Sequence, residues 1–316
     1  MLGYAVRRLG LGVAIVTTAM AILFIMIFLV PGDPASVALG PRATPEMVEA
    51  LRVRMGLDRP VWEQFWNFYA SAVRGDLGTE ALSGRPVADV VLEQLPYTLA
   101  LIVSGISWAV ALGIPLGALA AVQRGSLADR IVGVLSVAVI AVPSFVVAIY
   151  ALLIFAVWLR WLPAIGAGEP GDFADQLTHL LLPSLAVGLG WVGYIARMVR
   201  ASMLEALQAS HIRTARAFGL PERLITYSYA LRIAILPTLT LLGIGVGHML
   251  SSAVFAEIVF ARPGIGKLVY DAIIVRNYPV VTGAVLVTTV FFVMVNVAAD
   301  ILVGALDPRV RSELGR

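Results

Sequence analysis

Six stretches of about twenty or more apolar residues divide this chain, each long enough as a helix to cross a hydrocarbon core of ~30 Å. They cover approximately residues 9–30, 98–122, 131–158, 180–196, 239–260 and 280–306. Of the 316 residues, 59% are hydrophobic and 14% charged, with a mean hydropathy of +0.90. A soluble domain has roughly 45–50% apolar and ~25% charged residues, and a water-soluble fold cannot hide the excess. The expected architecture is therefore an all-α, polytopic membrane protein of about six transmembrane helices. The first stretch follows Arg7 and Arg8 as a signal peptide would. It exceeds a 7–15-residue signal core and no small-x-small cleavage site follows cleanly, so it reads as a retained helix. The chain has no cysteine, which excludes disulfides, thiolate metal sites and cysteine nucleophiles and leaves the redox compartment open.

Basic residues resist translocation, so their distribution sets orientation. With the N-terminus inside, the inner segments carry Arg7, Arg8, Arg124, Arg130, six arginines from Arg197 to Arg232, and Arg309, Arg311 and Arg316. Acidic residues run the other way, with only Asp129, Glu205, Glu222, Asp307 and Glu313 inside. Both termini are expected in the cytoplasm.

Three regions follow: the N-terminal end and first span (1–30), an external segment (31–97), and a core with the other five spans (98–316). In the external segment Thr44 can cap a helix that starts at Pro45 and ends before Gly56. Pro60 can open a second, whose Trp62, Phe65, Trp66, Tyr69 and Val73 share one face,. That stripe reads as packing against its neighbours or the membrane rim in preference to a binding surface. A segment of this size has a marginal core and suits a lid or docking surface better than a separate enzyme.

The inner loop, residues 200–237, reads as helix, break, helix. The first helix is expected to run through Glu205, Ala209 and Phe218 to Gly219, where a left-handed cap favours glycine. Pro221 suits the first position of the next helix, and Pro237 marks its end. Short side chains at Ala215, Ala217 and Gly219 allow a partner backbone to come close. Arg213, Arg216 and Arg223 offer charge-assisted hydrogen bonds. Charge alone is equally consistent with a loop that only enforces topology.

The run Arg213-Thr-Ala-Arg-Ala-Phe-Gly219, followed by Ile235-Leu236-Pro237, resembles the cytoplasmic EAA-type coupling loop of bacterial ABC importer permeases. Further matches lie in order along nearly the whole chain: Pro31-Gly-Asp-Pro34, Gly56-Leu-Asp-x-Pro60, Gln64, Gly75-Asp-Leu-Gly78, Arg85-Pro-Val-Ala-Asp89, Glu257-x-Val-Phe260, Pro263-Gly-Ile-Gly266, Tyr278-Pro279 and Asp307-Pro-Arg309. These resemble the dipeptide, oligopeptide and glutathione branch. One position departs from it, because Tyr229 stands where a histidine is usual before the Ala-Leu pair.

The resemblance implies a type I importer permease (MetI-like) fold in the bacterial inner membrane and a substrate that is most readily a dipeptide, a longer peptide or glutathione, with nickel complexes left open. It further implies a heterodimer with a similar permease, two cytoplasmic ATPases and an external solute-binding protein, with no nucleic acid among the partners. Coupling to the ATPases would fall to Arg213, Ala215, Arg216, Ala217, Phe218, Gly219 and Arg223. ATP and magnesium would belong to the ATPase chains and no cofactor to this one. The residues agree on that point: no G-x-x-x-x-G-K-[ST] phosphate cradle occurs, and Gly264-Ile-Gly266-Lys267 lacks its spacing and its following hydroxyl,.

Two rival functions fit the residues less well. An ion-coupled secondary transporter usually keeps ionisable groups deep in the membrane. Here no Asp, Glu, Lys or Arg lies between the span ends; Glu257 and Asp300 sit near them, and only His248 is deep. A histidine bonded across helices is the commoner role. An intramembrane serine protease would have to use Ser107 in Gly105-Ile-Ser-Trp108 with His248. Ser107 fits a back-bonded or helix-packing hydroxyl better. No H-E-x-x-H metal site occurs, so neither catalytic nor metal residues are expected. Small residues such as Gly113 with Gly117, Ala186 with Gly190, and Gly243, Gly245 and Gly247 allow close helix approach. Pro115 and Pro143 are expected to interrupt the second and third spans, where freed carbonyls would border a polar path. His248, Pro143 and Ser144 are the candidate path residues.

Overall fold

The computed structural model describes residues 2–306. Arg309, Arg311, Arg316 and the Asp307-Pro-Arg309 motif lie outside the described residues. The helices, in chain order, are α1 (Leu2–Leu29), α2 (Pro34–Leu39), α3 (Pro45–Arg54), α4 (Val61–Val73), α5 (Val87–Val122), α6 (Leu127–Ala141) and α7 (Ser144–Ala151). Next come α8 (Phe173–Gln208), α9 (Ser210–Ala217), α10 (Glu222–Leu224), α11 (Leu231–Ala234), α12 (Leu236–Val259), α13 (Ile265–Ile274) and α14 (Tyr278–Leu306). Wider π-helical turns continue α7 over Leu152–Trp158 and join α10 to α11 over Ile225–Ala230. Among the described residues the β pairing is a single bridge between Thr79 and Pro86.

Five helices are long and apolar enough to cross a membrane, and six spans result when one bent pair is counted as one. The bent pair is α6 with α7 and its continuation, which turn by 99° at Val142 and Pro143. Val142 takes the extended backbone (φ −86°, ψ 122°) that a following proline imposes,. Pro115 does not interrupt its helix as expected, because α5 runs unbroken from Val87 to Val122. Pro183 likewise lies inside α8 and is buried.

The chain divides into two compact units. The first comprises residues 2–98 and 263–294. Its core gathers Leu77, Val87, Val91, Ile265, Val280, Val281 and Ala284. Thr44 Oγ1 caps α3 by accepting from Met47 N at 3.3 Å, as the sequence predicts. Asp33 adds a cap at α2, accepting from Ser36 N at 3.1 Å, and pairs with Arg52 at 3.2 Å. The aromatic stripe of α4 packs on α1: the Phe24 ring lies 5.6 Å from that of Phe65 and 5.8 Å from that of Phe68, and the hydroxyls of Thr17 and Tyr69 bond at 2.8 Å. Trp62, Trp66 and Val73 of the same stripe stay exposed. Thr98 Oγ1 accepts from Ile265 N at 2.8 Å and fixes the start of α13.

The second unit comprises residues 99–262 and 295–306. Its spine is α8, against which α6, α7, α11 and α12 pack. Apolar burial gives little attraction between helices in lipid, so close approach and dispersion must hold them. The residues supply that closeness. A Cβ added at Gly117 would lie 2.5 Å from the Ala196 carbonyl oxygen, and one at Gly193 would lie 2.6 Å from that of Ser136. Trp108 Nε1 also donates to Ser184 Oγ at 3.1 Å across the α5–α8 contact.

Candidate functional site

The loop that joins α8 to α12 folds as a small elbow within the second unit. The expected continuous helix to Gly219 is broken at Ala209, whose extended backbone (φ −66°, ψ 153°) ends α8 and turns α9 away from its axis. No proline or glycine marks that break. Its cause is packing: Ile212 and Ala215 on α9 are buried in one core with Met203, Ala206, Ile225, Ala230 and Ala234. Gly219 carries the predicted left-handed backbone, φ 74°. Pro221 caps α10 with φ −65° and ψ 138°, one position earlier than expected. Pro237 opens α12 at its second position in place of closing the helix before it.

The seven coupling candidates separate by burial. Ala215 is buried in the elbow's own core, so its small side chain serves this chain's packing and is not available to a partner. Arg216 is exposed but engaged: its Nε donates to Glu222 Oε1 at 2.7 Å and its Nη2 to Oε2 at 3.3 Å. That pairing raises the Arg216 pKa further and holds the guanidinium charged. Arg213 donates to the Gln208 carbonyl at 3.2 Å, which ties α9 back to the end of α8. What the elbow presents outward is Phe218, 81% exposed, with Ala217, Gly219 and Arg223 beside it.

Two contributors were not picked out from sequence. Glu222 closes the elbow by clamping Arg216 across Gly219, a six-residue spacing that no regular helix pattern flags. At the root of the elbow, Arg200 on α8 holds Asp129 on α6 through Nε to Oδ1 at 2.5 Å and Nη2 to Oδ2 at 2.9 Å. The wide separation of the two residues in the chain hides that pair from any local reading.

The path candidates lie elsewhere in the same unit. Pro143 is exposed at the 99° bend and Ser144, half-buried, begins α7. Their neighbour Phe145 meets Phe255 of α12 at 5.9 Å, two turns beyond His248. His248 is exposed, with its ring 6.0 Å from that of Trp191, and so is not buried between helices of this chain. Ser107 donates to the Val103 carbonyl of its own helix at 2.8 Å, the back-bonded role expected for it. The described residues contain no group of three or more His, Cys, Asp or Glu able to hold a metal ion. The first unit contains a cavity of about 1100 Å³ whose lining includes Phe24, Asp33, Arg52, Asp58, Trp62 and Tyr278.

The profile of the family described as binding-protein-dependent transport system inner membrane component matches residues 113–312, and that of its N-terminal part matches residues 1–102. This chain belongs to that family. Glutathione transport system permease proteins GsiC of Escherichia coli (strain K12) and Shigella dysenteriae serotype 1 are each 35% identical to it over 311 residues, 98% of this chain and 99% of theirs. The corresponding protein of Shigella boydii serotype 4 is 34% identical over the same span. The chain is thus a permease subunit of a binding-protein-dependent importer, a multi-pass inner-membrane component and a transport protein, not an enzyme. Membership of this family favours neither a carrier nor a protease. The elbow of residues 209–224 lies inside the matched segment 113–312 of the permease.

Proposed function

We propose that this permease is one half of a heterodimer with a second, similar permease, that it imports short peptides or glutathione delivered by an external binding protein, and that two ATPase subunits drive it by docking on the elbow. ATP and magnesium then belong to the ATPase chains, and both termini of the permease lie in the cytoplasm. The peptide or glutathione cargo is supported by the near full-length likeness to glutathione permeases. The orientation is supported by the arginines at positions 197–232. The candidate path along Pro143, Ser144 and His248 faces the second permease in this reading.

The observation that carries the ATPase contact is the division of labour in the elbow. Arg213 and Arg216 brace it internally, while Phe218 stands 81% exposed beside Gly219. The chain has no cysteine, so Phe218→Cys gives a unique thiol. In membranes holding the assembled importer, that thiol is expected to cross-link to an ATPase subunit, with a yield that changes when nucleotide is added. Labelling of the same thiol by an impermeant reagent on intact cells would place the elbow outside and refute the reading.

A further inference from the structure

The spans of the second unit expose mainly apolar side chains, for example Leu112, Leu116 and Leu119 on α5 and Val134, Leu135 and Val137 on α6. Such surfaces suit lipid tails. Single polar side chains such as Ser107 and Tyr150 are exposed on α5 and α7, but two helices carry a longer exposed face with polar members. On α12 the residues exposed along one face are His248, Ser251 and Phe255, and on α8 they are Tyr194, Arg197, Ala201 and Glu205. Steps of three and four place each set on a single helix face. The two faces meet at Trp191, which is buried and whose ring lies 5.3 Å from that of Tyr194 and 6.0 Å from that of His248. Gly245 makes room for it, since a Cβ there would stand 3.0 Å from the indole.

Depth decides what this surface faces. His248 is the thirteenth of the 24 residues of α12, so about 18 Å of that apolar helix precedes it and about 17 Å follows it at 1.5 Å per residue, which places it mid-helix. Polar and ionisable side chains at such depth are costly against lipid; they turn to a bundle interior or a water-filled cavity, where they mark substrate pathways. His248 does not turn into the interior of its own chain, so its face must be covered by something other than lipid.

We infer that Tyr194, His248 and Ser251 form the wall that this chain contributes to the cargo path, and that His248 is a hydrogen-bonding station for the carboxylate and amide groups of a passing peptide. The inference rests on the importer reading above and adds the chemistry of its path. The imidazole supplies an N–H donor, and the two hydroxyls supply donors and acceptors. The Trp191 ring stands beside the imidazole, with centroids 6.0 Å apart. The station carries no fixed carboxylate or ammonium of its own, which keeps binding weak enough for release, as conduction requires.

The test has two arms. In the membrane-embedded importer, His248→Cys is expected to react with a small water-soluble thiol reagent and Val134→Cys to resist it. Resistance at position 248 would put that face against lipid or dry protein and overturn the inference. In proteoliposomes with the binding protein and ATPases, His248→Phe keeps a ring but loses the donor. It is expected to cut peptide uptake about tenfold, the worth of one hydrogen bond to a charged group, with assembly and the binding protein's affinity unchanged. His248→Gln, which keeps a donor, is expected to stay within about threefold of wild type. Wild-type uptake by His248→Phe, or an equal loss in both variants, would overturn the station. Should the wild-type importer move no peptide while position 248 still reacts, the aqueous wall stands and the peptide reading and its station fall together.

Discussion

Arg200 grips both carboxylate oxygens of Asp129, with Nε to Oδ1 at 2.5 Å and Nη2 to Oδ2 at 2.9 Å. The same carboxylate accepts from Gly125 N at 2.9 Å, and Asp129 N donates to Ser126 Oγ at 3.2 Å. One side chain therefore closes the turn before α6 and pins that turn to α8, eight residues ahead of the elbow. Arg200→Ala leaves the carboxylate shielded without its cation, and a fall of several degrees in thermal midpoint is expected in detergent. Arg200→Lys keeps the charge but loses the two-pronged geometry and should fall between. Thermal unfolding of the two variants checks the order.

Gly219 sits at φ 74° with no atom within 4 Å of an added Cβ, so its role is conformational and not a matter of space inside this chain. Gly219→Val should insert and assemble, yet strain the turn by about 1–2 kcal/mol and crowd a docked partner. The expected outcome is ATP hydrolysis that no longer supports uptake. Gly219→Asn, which tolerates left-handed backbone better, should retain more of it. Paired ATPase and uptake assays in proteoliposomes decide.

The Arg216–Glu222 clamp is exposed on both sides, so it adds little to stability. Its worth lies in the shape of the elbow. Arg216→Glu is expected to leave the thermal midpoint unmoved and to reduce coupled uptake several-fold, whereas Arg216→Glu combined with Glu222→Arg should recover part of the loss. No recovery in that double variant, measured alongside ATPase binding, would assign Arg216 to direct partner contact.

Helix contact in the second unit can be probed at two glycines with opposite expectations. Gly117→Leu drives a side chain into the Ala196 carbonyl and Val199, and overpacking of about 3 kcal/mol or more should follow. Gly133→Ala meets nothing within 4 Å and should be neutral or stabilise α6 by up to about 1 kcal/mol. Melting curves of the purified variants separate them.

Where the sequence succeeded and failed follows from the range of the forces involved. Span positions were legible because hydropathy is local, and so were the Thr44 cap and the turn at Gly219, set by neighbours within four residues. Pro115 and Pro143 look alike in sequence, yet only the second bends its helix. At Pro115 the helix is held straight through its close contact with α8 at Gly113 and Gly117, which sequence does not display. The break at Ala209 and the Asp129–Arg200 pair escape for the same reason, since each depends on residues distant in the chain. Burial also reassigned two side chains: Ala215 turned inward and His248 outward.

At 36 residues α8 is longer than a bilayer requires; its axis extends about 54 Å against a hydrocarbon thickness of ~30 Å. The surplus turns this helix into a lever arm. A rocking motion of about 10° about its midpoint sweeps either tip through roughly 5 Å, about one helical turn of travel. About that pivot, a displacement of the end next to the elbow would carry the far end of the same rod an equal distance the opposite way.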